Sequence, residues 1–491
     1  MKVMFVDPSL PATHGYEVVF PFGYASMGAV LQRGGHEVEY LFPAANGLGV
    51  QAVTDHVSNS DTELVAMGGL LPYLPTVIEL VGGIKAIRPN ILIVVGGQMV
   101  TWTPELVLKR TGADFCVCGE GEVALLKLIN CLQSGRDYST VPGLVFAQED
   151  GQVISNGLGE MMPFENIPMP NWDDFPMHYY MYAGSRPPIC QVTGVTRHFT
   201  WLLSRGCPMK CNFCASSCAP RYKTVTQSVV ELREIVDRFH PDYITFADNL
   251  FTRTKKYAAE LCEAFIASGF RFKFSASGRA DLVDGQLLTL MRRAGCQAIF
   301  YGLECANNRI LSFIRKGITV EQMREAIEIT KQADIYPMVS IMFGQPGETF
   351  DDFFNSLRVS LMSINPVDPV LNAASVMPLL TFPGTEIYNY AKAHGYFASD
   401  EDYWQKYGGS FQIDYDACTA EARGEAAGIA NTLLRWKYHQ QAADSLLARL
   451  RNQRDSFGDP LRALPQADME HIRCFLDRCL TDLASTVLDA G

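Results

Sequence analysis

Short apolar runs and amphipathic stretches alternate along most of this chain. Up to about residue 135, Val3–Val6, Glu37–Leu41, Leu64–Met67, Ile91–Val95 and Phe115–Val117 read as strands bounded by turn residues. Between them, Tyr24–Gln32, Leu74–Ile87, Pro104–Arg110 and the stretch from Gly119-Glu120-Gly121-Glu122 to about Leu132 carry apolar positions at helical spacing. Strand–helix alternation of this kind predicts a parallel, doubly wound (Rossmann-like) sheet, whose ligands sit outside the carboxyl ends of the strands. Glycine pairs stand at two of those ends, Gly68-Gly69 and Gly96-Gly97.

The pattern then changes. Residues 136–195 hold a turn at Gly151-Gln152 and the prolines Pro163, Pro168, Pro170, Pro176, Pro187 and Pro188, which predicts a small hairpin and a crossing segment between two domains. Alternation resumes over 196–395, with strands at Phe199–Leu203, Tyr243–Ala247, Phe272–Ala276, Ala298–Gly302, Tyr336–Phe343 and Asn372–Met377. Six strands with crossover helices predict a partial (β/α)6 barrel of TIM type, with its chemistry at the strand carboxyl ends. Residues 396–491 read as a helical domain. Ala427, Leu433, Leu434 and Leu447 form a stripe within 420–453, and Ile472, Phe475, Leu476, Leu480 and Leu483 another within 465–488. The α/β chain thus divides at 1–135, 136–195, 196–395 and 396–491.

Composition narrows the function. At 48% hydrophobic and 19% charged residues, the chain is globular. No apolar run reaches the roughly 18 residues of a membrane span, and Met1-Lys2-Val3-Met4-Phe5-Val6-Asp7 reads as a strand and turn rather than a signal peptide. No membrane partner and a cytoplasmic location are expected. A net charge of −12 without a basic block argues against a nucleic-acid partner, whose phosphates demand clustered cations. Fourteen cysteines without a secretory signal read as reduced thiols, some of them metal ligands.

Candidate chemistry concentrates in Arg205-Gly206-Cys207-Pro208-Met209-Lys210-Cys211-Asn212-Phe213-Cys214. A four-iron cluster normally takes four thiolates. The spacing C-x3-C-x2-C supplies three, which leaves one iron open to a small molecule. The alternative is structural zinc. Zinc takes four closed ligands, typically as C-x2-C pairs. No second pair stands at that spacing, and Cys218 is the nearest candidate fourth thiol.

Further landmarks follow that loop in order: Phe246-Ala247-Asp248-Asn249-Leu250-Phe251, Ser277-Gly278-Arg279-Ala280-Asp281, Gly302-Leu303-Glu304, Gly344-Gln345-Pro346-Gly347-Glu348-Thr349 and Pro383-Gly384-Thr385. With Gly206-Cys207-Pro208 and Phe213-Cys214, they make residues 200–390 resemble a radical S-adenosylmethionine (SAM) core domain. The resemblance implies that Cys207, Cys211 and Cys214 hold a [4Fe–4S] cluster, and that SAM chelates its open iron. It implies that Phe213, Arg279, Glu304 and Gly344 cradle SAM. Gly347 shapes a turn, and Cys305, where relatives commonly carry Ser, reads as a packing residue.

Val6-Asp7-Pro8, Gly23–Leu31, Gly35-His36-Glu37-Val38, Gly96-Gly97-Gln98 and Gly119-Glu120-Gly121-Glu122 make the first segment resemble the cobalamin-binding domain of one large radical SAM subclass. Glycine at strand ends lets the cobalamin nucleotide tail thread beside the sheet. The implied cobalamin contacts are Gly68, Gly69, Leu71, Gly96, Gly97, Gln98 and Gly119. The D-x-H-x-x-G sequence that supplies a cobalt-ligating histidine is absent; His14-Gly15 lacks the preceding Asp. Leu70, Leu71 or Tyr73 is then expected to face cobalt.

The resemblance as a whole implies a cobalamin-dependent radical SAM enzyme that methylates an unactivated carbon of a small-molecule biosynthetic intermediate. One SAM yields the 5′-deoxyadenosyl radical; a second methylates cobalamin, which passes the methyl group on. An external electron donor of flavodoxin or ferredoxin type is implied. Cyclisation, rearrangement or elimination, with cobalamin assisting or absent, is the alternative outcome. A non-catalytic cobalamin or metal carrier is the alternative from another class.

Overall fold

The computed structural model of the protein describes residues 1–11, 19–183, 195–215, 219–363, 375–413 and 415. The helical stripes expected within 420–453 and 465–488 lie outside the described residues, as do His14, Cys218 and the start of the strand expected at 372.

Two sheets organise the chain. In the first, β1 (Lys2–Val6), β2 (Glu37–Leu41), β3 (Leu64–Gly68), β4 (Leu92–Gly96) and β5 (Phe115–Val117) run parallel in the order β2-β1-β3-β4-β5. This is the doubly wound order whose topological switch lies between β1 and β3. The hairpin β6 (Leu144–Ala147) and β7 (Val153–Ser155) extends the same sheet antiparallel beyond β5. β3 is buried along its whole length, as a parallel strand covered on both faces must be. Val77, Leu80 and Ile84 of helix Leu74–Ile87 cover one face, and Leu125, Leu128 and Ile129 of helix Gly121–Ser134 cover the other. Helix Val50–Ser58 was not expected from the residue pattern. It follows a Gly-Leu-Gly turn and is interrupted by polar Thr54 and Asp55, yet Val53 and Val57 are fully buried in the same core as Leu80.

After β8 (His198–Trp201), two short strands, β9 (Ser204–Arg205) and β10 (Arg221–Tyr222), pair antiparallel and close the base of the cysteine loop, with Arg205 opposite Arg221. β8 also opens the second sheet. It continues through β11 (Tyr243–Phe246), β12 (Lys273–Gly278), β13 (Cys296–Glu304), β14 (Tyr336–Phe343) and β15 (Ser375–Pro378), all parallel and in chain order. This curled parallel sheet is the expected half-barrel. Its crossover helices start at side-chain caps: Thr224, Thr254, Asp284 and Thr319 each accept a hydrogen bond from a backbone N–H in the first turn. Beyond the barrel, helices Glu386–Ala393 and Asp400–Tyr407 fold back. Ile387, Tyr388, Tyr403 and Trp404 join the core on one face of the first sheet. Arg110 of that domain pairs with Glu401 at 2.6 Å. Among the described residues no helix is long and apolar enough to cross a membrane.

The carboxyl end of β3 is held from inside. The Tyr24 hydroxyl donates to the Gly68 carbonyl at 2.6 Å and accepts from the Gly68 N–H at 2.9 Å. A Cβ at Gly68 would stand 2.3 Å from the carbonyl oxygen of Gly96, so only glycine lets β3 and β4 approach there. Replacing Tyr24 by Phe keeps the ring but removes a hydrogen-bond partner from both Gly68 groups. We expect Tyr24→Phe to destabilise the domain by about 1–3 kcal/mol, measured by urea unfolding of the apo protein.

Candidate active site

Loops from both sheets converge on the cysteine loop. Cys207 and Cys211 are half-buried and Cys214 is exposed. Among the described residues, no three His, Cys, Asp or Glu side chains already form a metal cage, so the loop presents its thiols without closing them. Its ends and middle are nevertheless fixed. At the start, the Asp248 carboxylate, beyond the end of β11, accepts the Leu203 N–H at 3.2 Å and the Ser204 hydroxyl. At the base, Arg205 donates to Glu122 at 2.7 Å and to the Ser26 hydroxyl at 3.0 Å, and lies 3.2 Å from Glu120. Arg221 pairs with Glu120 and donates to the Met162 carbonyl. In the middle, the Asn212 N–H donates to the Ile314 carbonyl at 3.0 Å and its side chain to the Phe313 carbonyl at 2.9 Å.

That last anchor is itself braced. Arg279 donates to the carbonyls of Lys316 and Gly317, the latter at 2.7 Å, and pairs with Asp281 at 2.6 Å. The Lys316 ammonium lies 2.7 Å from Glu304, and both side chains are largely buried. Glu304 has a positive φ of 67° where the β13–β14 register shifts, a strained conformation of the kind that functional sites retain. A Cβ on Gly302 would stand 2.2 Å from the Glu304 carboxylate, so glycine at 302 makes room for this pair. Burial pushes the Cys211 thiol up, against the downward pull of Lys316. Burial also pushes Asp248 up to about 6, despite its hydrogen bonds from Ser204 and Leu203.

A second feature faces the first sheet. A cavity of about 420 Å³ opens at the carboxyl ends of β1, β3, β4 and β5, where the strand order places ligands. Gly68, Gly69, Gly96, Gly97 and Gly119 line it, together with Leu70, Tyr73 and Arg205.

A radical SAM superfamily model matches residues 201–359, and a B12 binding domain model matches residues 11–129. The chain belongs to the cobalamin-binding radical SAM family. The cofactors of such an enzyme are a [4Fe–4S] cluster, SAM and cobalamin, and this chain is a radical SAM enzyme of methyltransferase-like type. An uncharacterized methyltransferase of Pyrococcus horikoshii is 28% identical over 419 residues, spanning 83% of this chain and 87% of that protein. The anaerobic magnesium-protoporphyrin IX monomethyl ester cyclase of Synechocystis is 28% identical over 369 residues, 73% of this chain and 72% of that one. The radical SAM methyltransferase TsrM from Kitasatospora setae, solved with cobalamin and a [4Fe–4S] cluster bound, shares the fold. Its TM-score is 0.64 at 16% identity, covering 80% of this chain and 75% of TsrM.

The residues present fit these groups. Three thiols stand on one partly exposed loop, and a glycine-lined cavity follows the strand ends of the B12 domain. No histidine lines that cavity among the described residues. Leu71 and Gln98 do not line it either, contrary to the expected contacts. A 3-10 turn over Leu71–Tyr73 directs Leu71 into the core, and Gln98 begins a short helix; both border a smaller neighbouring cavity with Trp102 and Pro383. Leu70 and Tyr73 take the cavity positions. The cavity glycines also have a packing role: a Cβ at Gly97, where φ is +83°, would meet the Gly69 backbone at 2.8 Å.

Around the cysteine loop, Phe213 packs against the cores of both sheets. Gly344 adopts φ +85°, but its N–H donates to Glu348 at 2.5 Å, so Glu348 uses that amide to shape the turn. Cys305 is buried, 3.7 Å from the Ser356 hydroxyl, and its thiol is pushed up to about 12, as suits a packing residue. Sequence reasoning missed Lys316, Asn212 and the pairing of Arg205 and Arg221 with Glu120 and Glu122. The two arginines do flank the loop, but no local spacing joins them to carboxylates in another domain.

Asp248 gives a pH dependence. Its folded value, about 6, lies above the ordinary 3.8, so the folded state holds the proton more tightly. The stability this contributes is complete below the ordinary value and is lost as pH rises through about 6. Relative to Asp248→Asn, the wild type should lose about 2–3 kcal/mol of unfolding free energy between about pH 4 and about pH 7. Paired denaturant titrations at the two pH values measure the difference.

Proposed function

We propose that this chain is a C-methyltransferase acting on an unactivated carbon of a small molecule. Cys207, Cys211 and Cys214 hold the cluster, while Phe213, Arg279, Glu304 and Gly344, joined by Lys316, form the SAM side of the site. Gly68, Gly69, Leu70, Tyr73, Gly96, Gly97 and Gly119 receive cobalamin. When bound, the cluster and SAM supply a hydrogen-abstracting radical and cobalamin supplies the methyl group.

One observation carries this reading. The base of the thiol loop is ion-paired, through Arg205, to Glu122 on the wall of the glycine-lined cavity. A substrate lying between the two would meet radical and methyl donor from opposite sides. The protein's own residues bind and orient. Glu304 and Lys316, paired with each other at 2.7 Å, set one negative and one positive side chain close to Cys211. Electrons arrive from a flavodoxin- or ferredoxin-type donor at the exposed Cys214 edge.

Anaerobic reconstitution with iron, sulfide and cobalamin, followed by product analysis on candidate biosynthetic intermediates, tests the proposal. S-adenosylhomocysteine formed together with 5′-deoxyadenosine and a methylated product is the expected result. 5′-Deoxyadenosine alone would favour ring closure or another radical outcome, a reading supported by the likeness to the Synechocystis cyclase. Alanine at Cys207, Cys211 or Cys214 should abolish the cluster's iron content and all SAM cleavage, whereas Cys218→Ala should leave both. Zinc in the wild type, or loss of iron in Cys218→Ala, would end the three-thiol reading.

A further inference from the structure

Arg205 and Arg221 stand opposite one another at the two ends of the cysteine loop. Both reach across to the acidic pair of Gly119-Glu120-Gly121-Glu122. Arg205 lies 2.7 Å from Glu122 and 3.2 Å from Glu120, and Arg221 pairs with Glu120. All four side chains are largely buried, with exposures of 15%, 18%, 11% and 3% for Arg205, Arg221, Glu120 and Glu122. Phe164 closes the seam. Its ring centroid is 5.5 Å from the Arg205 guanidinium and 5.7 Å from that of Arg221.

The quartet has two faces. On one, Glu120, Glu122 and Arg205 line the cavity at the strand ends of the B12 domain. On the other, the arginines begin and end the strands that close the thiol loop. Two cations balance two anions, so the group is neutral as assembled. Burial opposes ionisation of Glu122, but the Arg205 charge and hydrogen bonds from Ser26 and Arg205 overcome it and hold its carboxyl below the usual carboxylate range. Sliding the loop relative to the cavity would strand a buried charge, which is costly, so the low-energy registers are few. Ser26, within helix Phe22–Arg33, ties the arrangement to a third element by donating to Glu122 at 2.6 Å.

We propose that Glu120, Glu122, Arg205 and Arg221 are positioning residues that fix the separation of the thiol loop from the cobalamin cavity, holding both cofactors within reach of one substrate. This rests on the two-cofactor reading and not on methylation as the outcome. The quartet acts on geometry through the loop and the cavity wall and touches no reacting atom.

Pulsed dipolar EPR on the full-length, reconstituted protein tests it. With the cluster reduced and cobalamin in its paramagnetic cobalt(II) form, the spin–spin distance distribution reports their separation directly. The wild type should give one narrow distribution. Glu122→Gln and Arg205→Lys should broaden it about twofold or shift its mean while iron and cobalamin contents stay at wild-type values, with coupled product formation falling about 10- to 100-fold. Glu120→Gln and Arg221→Lys keep the test open should either variant fail to fold. Asp334→Asn, which removes the exposed Arg292–Asp334 pair, serves as control and should leave the distribution unchanged. Wild-type distributions in all the quartet variants, with only a lower melting temperature, would reduce the quartet to a stabilising contact and overturn the proposal. A wild type that binds no cobalamin overturns the two-cofactor reading, and this proposal with it.

Discussion

The cysteine loop is held by hydrogen bonds and ion pairs to elements outside it. Here the constraints come from four directions. A buried carboxylate from the next barrel strand caps its entry, and arginines at its base reach the neighbouring domain. Asn212 leans on the turn around Ile314, and the N–H of Ile387 in a later helix donates to the Asn212 carbonyl at 3.0 Å. The polar groups of these supports are mostly satisfied by protein partners, so they brace the loop without calling on its sulfurs.

Topology makes that convergence possible. A parallel sheet places all its strand carboxyl ends on one edge, and this chain has two such sheets. Their connection through Arg205, Arg221, Glu120 and Glu122 is polar and directional. The outer connection, through Trp404, Tyr403 and Ile387 on the first sheet's face, is apolar and tolerant of small shifts. Polar pairing fixes register where chemistry is to occur, and hydrophobic burial elsewhere supplies the larger share of cohesion.

Much of the fold was legible because buried parallel strands announce themselves as compact apolar runs. Leu64–Met67 and Tyr336–Phe343 were placed to within a residue. The three cysteines could be grouped because they lie within eight residues, where spacing alone carries information. What stayed hidden depends on separation or on rotation. Arg205 and Glu122 are 83 residues apart, and nothing in either stretch points to the other. Leu71 differs from its neighbours Leu70 and Tyr73 only by the direction a single 3-10 turn gives its side chain. Arg279 reads as a cation available to a ligand, yet much of its hydrogen-bonding capacity goes to backbone carbonyls, which no sequence pattern encodes.

The uneven exposure of the three cysteines bears on how the enzyme is matured and how it fails. Cys214 is the exposed thiol of the three, while protein groups hold the backbone around Leu203, Arg205 and Asn212. A cluster held by these thiols would present its Cys214 edge to solvent and to whatever supplies iron and sulfide. Oxygen would reach a cluster held there by that same edge.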